Sequence, residues 1–274
     1  MTQVKAYVPG LYVRSEGQNR EPELQEFLSV QREAGMDYFS DGLLFWPDPV
    51  APLAQRVERA PAAECGALAT EKASEPLGEP YFRAWKMPRG RWISTLPSPL
   101  TLARATGLSA RHAAESALSP QLAWLAENGC AFAVLQEAEM PDGPELQALG
   151  EALAALDSPL PLVLRLPPGD AAEVLPGLAE LPVEAVGADM TATGPAALPA
   201  LFPKTLLAGV VDAASPEPEE PSRVAAQHER LLERLAGEAD LHLAPNGDLH
   251  ALAPEQAARK VRALGDAARI LRGG

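Results

Sequence analysis

Residues 205–216 read TLLAGVVDAASP. An apolar, β-branched run arrives at one acid, Asp212, and then breaks into Ala-Ala-Ser-Pro. A run with no polar alternation is the signature of a strand covered on both faces, as in a parallel sheet. A strand of that kind that ends on a carboxylate delivers it to the edge of the sheet, where ligands and chemistry are found.

The same unit recurs on both sides of this stretch. Apolar, β-rich runs occur at 6–13, 37–44, 91–96, 131–139, 160–166, 183–190, 205–213 and 240–244. Each leads into a loop with Gly, Pro or Asp. Patterns with helical spacing follow at 21–35, 111–128, 143–156, 170–180, 194–201, 222–237 and 254–271. Pro254 stands where a first-turn proline belongs, and the pattern behind it carries one apolar stripe. Strands alternating with helices predict an α/β protein built as a single-domain (β/α)8 TIM barrel spanning 1–274. A doubly wound open sheet is the alternative, and the absence of GxGxxG after the first run counts against it. Residues 50–90 break the rhythm. They are Pro- and Ala-rich, and read as an insertion or lid with a short helix near 50–59 and an extra strand at 81–87.

Composition narrows the classes of function. Hydrophobic residues make up 47% and charged residues 22%, with a formal net charge of −14. That balance, without a Lys/Arg cluster, argues against nucleic-acid partners and anionic membranes. No charged segment followed by an apolar one opens the sequence, and no 18-residue uncharged apolar run occurs, so a cytoplasmic location is expected. Cys65 and Cys130 lack metal-ligand spacing and read as free thiols.

In a barrel the C-terminal strand ends carry the site, and the polar residues fall there. The candidate ligand-binding residues are Arg14, Asp41, Gln136, Glu139, Arg165, Asp189, Asp212 and Asn246. Glu137, Asp170, Asp248 and His250 lie at similar strand ends. Acids and arginines on one mouth either pair with one another or face a polar ligand. For Arg165 the two readings are a bidentate contact to an anion and an internal salt bridge to Asp189 or Glu139. For Asp41 they are ligand contact and an Asp-Gly turn; for Asp212, ligand contact and a cap on loop 213–216. Trp46, Trp85 and Trp92 read either as a wall for a flat ligand or as ordinary packing. His112, His228 and His242 do not cluster in the sequence.

Six stretches, GLYVRSEG (10–17), AGMDYFSDG (34–42), TLPSPLTLA (95–103), LQEAEMPDG (135–143), GVVDAASP (209–216) and LAPNGDLHAL (243–252), lie in an order and spacing that resembles the C-terminal domain of cobalamin-independent methionine synthases. Uroporphyrinogen decarboxylase is related at superfamily level. The resemblance implies a zinc ion that binds a thiol and lowers its pKa for methyl transfer from a folate. The positions that would do this work are altered. Where the family has a His-x-Cys pair of zinc ligands, this sequence has Arg165-Leu166-Pro167. Asp189 stands one side chain short at a carboxylate ligand, and Gly247 at the last cysteine. Leu43 and Ala138 replace the carboxylates that hold the amino acid, and Ala214 replaces the general-acid histidine. Arg cannot stand in for His as a ligand, because it stays protonated and has no free lone pair.

The expectation is a methionine synthase-like barrel without the zinc and homocysteine site, no metal and no cofactor, binding a small polar molecule at its mouth. One alternative is a metal-free enzyme that uses Arg, Asp and Glu for acid–base work. Another is a divergent methyltransferase with ligands drawn from Cys65 or His250. Oligomeric state is not encoded in any motif.

Overall fold

The computed structural model describes residues 2–14, 19–57, 75–78 and 81–273. Eight strands form one sheet: β1 Val4–Ala6, β2 Phe39–Ser40, β3 Trp92–Pro97, β4 Cys130–Gln136, β5 Leu162–Arg165, β6 Ala185–Asp189, β7 Thr205–Val211 and β8 Leu241–Pro245. Their order is β1-β8-β7-β6-β5-β4-β3-β2, and every pairing is parallel. Side chains and single backbone bonds bridge the seam between β1 and β2. Asp37 N–H donates to Ala6 O (2.9 Å), Asp37 Oδ2 accepts from Ala6 N–H (2.7 Å), and Ser40 Oγ donates to Val8 O (2.5 Å). The sheet is thus a curled (β/α)8 barrel.

Helices cover the outside: α1 Glu21–Glu33, α2 Ala51–Ala54, α3 Pro99–Thr106, α4 Ala110–Ala113, α5 Ser119–Glu127, α6 Gly143–Ala154, α7 Leu175–Leu178, α8 Met190–Thr193, α9 Pro221–Leu232 and α10 Pro254–Leu271. A π-helical turn, Ala114–Leu118, joins α4 to α5, and Pro120, which has no N–H to give, opens α5. Each of α1, α3, α5, α6, α9 and α10 has proline in its first turn, where the missing donor costs nothing.

Several expected elements differ. β1 ends at Ala6 rather than running to 13, because Pro9 offers no donor and Gly10 turns the chain at φ +82°. β2 stops at Ser40, where Gly42 and Leu43 both take left-handed backbone. The strand expected at 81–87 is a 3-10 turn, Ala84–Lys86. The helix expected at 170–180 shrinks to the single turn α7, and the one expected at 194–201 to a 3-10 turn, Pro195–Ala197, preceded by the single turn α8. Helix α3, not foreseen, is capped by Ser98, whose Oγ accepts from Thr101 N–H (3.0 Å), and ends on Gly107 at φ +73°. Within the segment 50–90, Leu53, Val57, Leu77, Phe82 and Met87 are buried in the main core. Residues 58–74 and 79–80, Cys65 among them, lie outside the described residues.

The barrel interior is filled in layers. At the N-terminal end Tyr7, Tyr38, Phe132 and His242 meet edge to face. Ile93, Val134, Val163, Leu207 and Ala244 form the middle. Polar groups begin above them.

Candidate functional site

β4 and β5 are in register, with Gln136 beside Arg165, so both side chains rise from the same level of the lumen. Arg165 is 3% exposed. Its Nη1 donates to Gln136 Oε1 (3.0 Å) and Asp248 Oδ1 (3.2 Å), and its Nη2 to Pro245 O (3.2 Å). Gln136 Nε2 reaches Asp248 Oδ2 at 3.5 Å. The guanidinium is therefore neutralised and bonded from inside the protein, and its partner is Asp248 rather than Asp189 or Glu139. Glycine makes the space: a Cβ on Gly10 would fall 2.0 Å from Asp248 Oδ1 and 2.9 Å from Arg165 Nη1.

Asp189 and Asn246 form a second cluster, held by the close approach of β7 and β8. A Cβ on Gly209 would lie 2.6 Å from Asn246 Cα. Asp189 caps α8: Oδ1 accepts from Thr191 N–H (2.9 Å), Thr191 Oγ1 (2.6 Å) and Ala192 N–H (3.2 Å). Its Oδ2 accepts from Gly169 N–H (3.1 Å) and Asn246 Nδ2 (3.2 Å). Asn246 Oδ1 accepts from Ala213 N–H (2.8 Å). Both side chains are committed to backbone on three loops. Gly247, next in the chain, has no donor side chain, and a Cβ there would sit 3.0 Å from Pro168 Cγ.

Arg14 and Asp41 make a third group. Asp41 is 3% exposed, and its Oδ1 accepts from Leu43 N–H (3.0 Å) while Leu43 O accepts from Arg14 Nη2 (2.6 Å). Burial pushes the Asp41 carboxyl up to about 6, against the pull of that backbone bond and of Arg83 and Arg14. Asp212 caps its own loop through Ala214 N–H (2.9 Å). Glu139 points out to solvent, 74% exposed, 3.8 Å from Arg104 Nε. Its neighbour Glu137 is the buried acid. Glu137 accepts from Thr101 Oγ1 (3.1 Å) behind the sheet, and burial raises its pKa. The strand period of two separates Gln136, inside, from Glu137, outside. Trp46 and Trp92 are core residues, whereas Trp85 is 69% exposed beside Lys86, so the three form no common wall.

Between these groups lies a cavity of about 70 Å³ lined by Leu43, Pro49, Val50, Leu96, Pro97, Ala138, Thr95, Thr101, Gln136 and Asp248. Its wall is mostly apolar and its polar side is Gln136, Asp248 and the two threonines. Leu43 and Ala138, which stand where the resemblance puts carboxylates, add to its apolar side. Among the described residues no three His, Cys, Asp or Glu side chains group closely enough to hold a metal ion. No described helix is long and apolar enough to cross a membrane.

No protein-family model matches the sequence. The 5-methyltetrahydropteroyltriglutamate–homocysteine methyltransferases of Mycobacterium bovis and Mycobacterium tuberculosis are 37% identical over 103 residues, 34% of this chain. That match spans 14% of the length of those relatives. In fold, a B12-independent methionine synthase from Shewanella sp. W3-18-1, solved with selenomethionine, superimposes with a TM-score of 0.68 at 16% identity, covering 99% of this chain and 97% of that one. A protein of Listeria monocytogenes assigned to the same B12-independent synthases gives 0.63 at 14% identity, covering 98% and 99%. Local sequence similarity and fold over nearly the whole length agree, and the chain is a methionine synthase-like (β/α)8 barrel.

Proposed function

We propose that this barrel binds a small molecule at its C-terminal mouth, in the cavity beside Gln136 and Asp248, and does not carry out zinc-dependent methyl transfer to a thiol. The observation that carries the reading is Arg165. It stands where the resemblance assigns a zinc ligand, and its fixed positive charge is held by Gln136, Asp248 and Pro245 O. A cation at that point would face a guanidinium at contact distance, a repulsion worth several kcal/mol in a dry site. Asp189 has both oxygens engaged and Gly247 brings no donor, so the residues present do not fit zinc. Loss of thiolate and imidazole donors removes most of the binding free energy of such a centre.

A second reading, a metal-free enzyme, is favoured by one feature. Asp41, held near pH 6 by burial at the mouth, is poised for proton transfer near neutrality. The third, a methyltransferase with relocated ligands, leans on Cys65, outside the described residues, and on His250, which is exposed.

Elemental analysis of protein equilibrated with zinc and then dialysed tests the proposal. Substoichiometric zinc is expected, together with a thermal shift from small neutral or weakly polar compounds and none from homocysteine. A full equivalent of retained zinc overturns the proposal.

A further inference from the structure

The outer face of the barrel carries a groove of about 1140 Å³ between α8 and α9, where the β6–β7 crossover is reduced to single turns. Four carboxylates and three arginines share its wall, so it favours neither charge. The mouth cavity is smaller and far more selective. Asp248 is the only charged residue on its wall. Arg165 lies behind it, 3% exposed, with Nη1 on Asp248 Oδ1 (3.2 Å). An anion that entered would meet Asp248 with no counter-charge, and burying a charge unpaired is costly. A cation would meet a carboxylate already paired with a guanidinium. An uncharged group has neither cost.

The hydrogen-bonding capacity left over in the cavity is specific. Thr101 Oγ1 donates to Glu137 Oε2 (3.1 Å) and accepts from Ala138 N–H (3.0 Å), so it is spent on structure. Thr95 Oγ1 accepts from Gly10 N–H (2.9 Å), and its own proton has no acceptor among the described residues. Gln136 Oε1 accepts from Arg165 Nη1 (3.0 Å), which turns Nε2 toward Asp248 Oδ2, 3.5 Å away. That distance is at the outer limit of a hydrogen bond. It leaves a second N–H on Gln136 and most of the lone-pair capacity of Asp248 Oδ2 unused. A donor and an acceptor thus stand side by side on a wall that also carries Leu43, Val50 and Leu96.

We infer that the mouth cavity takes the primary carboxamide end of a small molecule. The amide carbonyl accepts from Gln136 Nε2 or the Thr95 hydroxyl, the amide N–H donates to Asp248 Oδ2, and the adjoining carbons pack on Leu43, Val50 and Leu96. This rests on the reading that the mouth binds a small molecule, and it adds which head group enters. A carboxylate in the same place would lose the bond to Asp248 and gain a repulsion. A volume of about 70 Å³ admits only a few heavy atoms, so the rest of a larger ligand would leave past Pro49 and Ala138 at the rim.

NMR titration of the full chain with propionamide, propionate, propionamidine and butanone tests this. The four share one heavy-atom skeleton and differ only in whether the head donates, accepts or carries charge. Propionamide is expected to bind saturably at about millimolar concentration, in keeping with so small a ligand, and about tenfold or more tighter than each of the others. Ala138→Leu, at an exposed position on the rim, should weaken it about tenfold or more and leave the melting curve unchanged. Equal or tighter binding of propionate, propionamidine or butanone, lost in Ala138→Leu, overturns the inference and leaves the mouth as a binding site. Propionamide binding that Ala138→Leu does not alter lies elsewhere and overturns it. No saturable binding of propionamide well above millimolar concentration overturns it too, whereas a full equivalent of retained zinc would overturn the reading beneath it.

Discussion

Gly10 and Arg165 show how much of the mouth depends on single residues. Gly10 has φ +82°, and its missing Cβ is the space that Asp248 occupies beside Arg165. Gly10→Ala would impose a left-handed backbone on a residue with a side chain and push Asp248 off the guanidinium. The first effect costs about 1–3 kcal/mol, and stranding a buried charge adds more. We expect chemical denaturation to show a loss of about 3 kcal/mol; a loss under about 1 kcal/mol would mean the Arg165–Asp248 pair rearranges freely. The candidate residues at strand ends were legible in the sequence because apolar runs stop at them. Their partners were not. Arg165 pairs with Asp248, which is 83 positions away, and no local pattern encodes a contact made across the barrel. Glu139, expected near the mouth, points to solvent beside Arg104, because the strand ends at Gln136 and the chain has left the barrel rim by position 139.

At the scale of elements, α10 was readable, since its apolar stripe and first-turn proline agree. One of its residues reverses a simple rule. Glycine in an exposed helix is worse than alanine by about 1 kcal/mol, so Gly265→Ala should stabilise. Here a Cβ would lie 2.0 Å from Ala34 O and 2.9 Å from its carbonyl carbon, where α1 ends against α10. The added methyl would wedge the two helices apart. We expect a net destabilisation of about 1–3 kcal/mol, read as a lowered melting temperature; a raised one would show that this crossing is loose. The crossovers after β5 and β6 failed as sequence-based helices for a related reason. Pro, Gly and Ala fill a helical period without capping it, and Gly194 and Pro195 interrupt the run. That interruption is what opens the groove beside α9.

Across the whole molecule, two buried titratable groups at opposite ends of the barrel work against each other. Burial raises Asp41 from 3.8 to about 6, so the folded state binds more protons than the unfolded one in that window, and its contribution is lost as pH rises from about 4 through 6. Burial, with the nearby Lys5 charge, lowers His242 from 6.5 to about 4, so its contribution is lost as pH falls from 6.5 through 4. Each shift corresponds to about 3 kcal/mol, and the signs oppose. Denaturation profiles of Asp41→Asn should therefore rise more steeply with pH between 4 and 6 than those of the parent protein, and His242→Gln should fall relative to it. Parallel profiles for all three proteins would refute the assignment. Sequence alone determined the class of fold: eight apolar runs can satisfy their backbones and bury both faces in few ways, and helices between them leave a closed parallel barrel as the economical one. It also determined that position 165 carries a group that cannot act as a metal ligand, because residue identity settles donor chemistry. Tertiary structure decided which of the strand-end charges meet, that Leu43 and Ala138 wall a cavity, and where the outer sheet lies open. Those facts depend on contacts between residues far apart in the chain, and side-chain periodicity reports the face of an element but not what it faces.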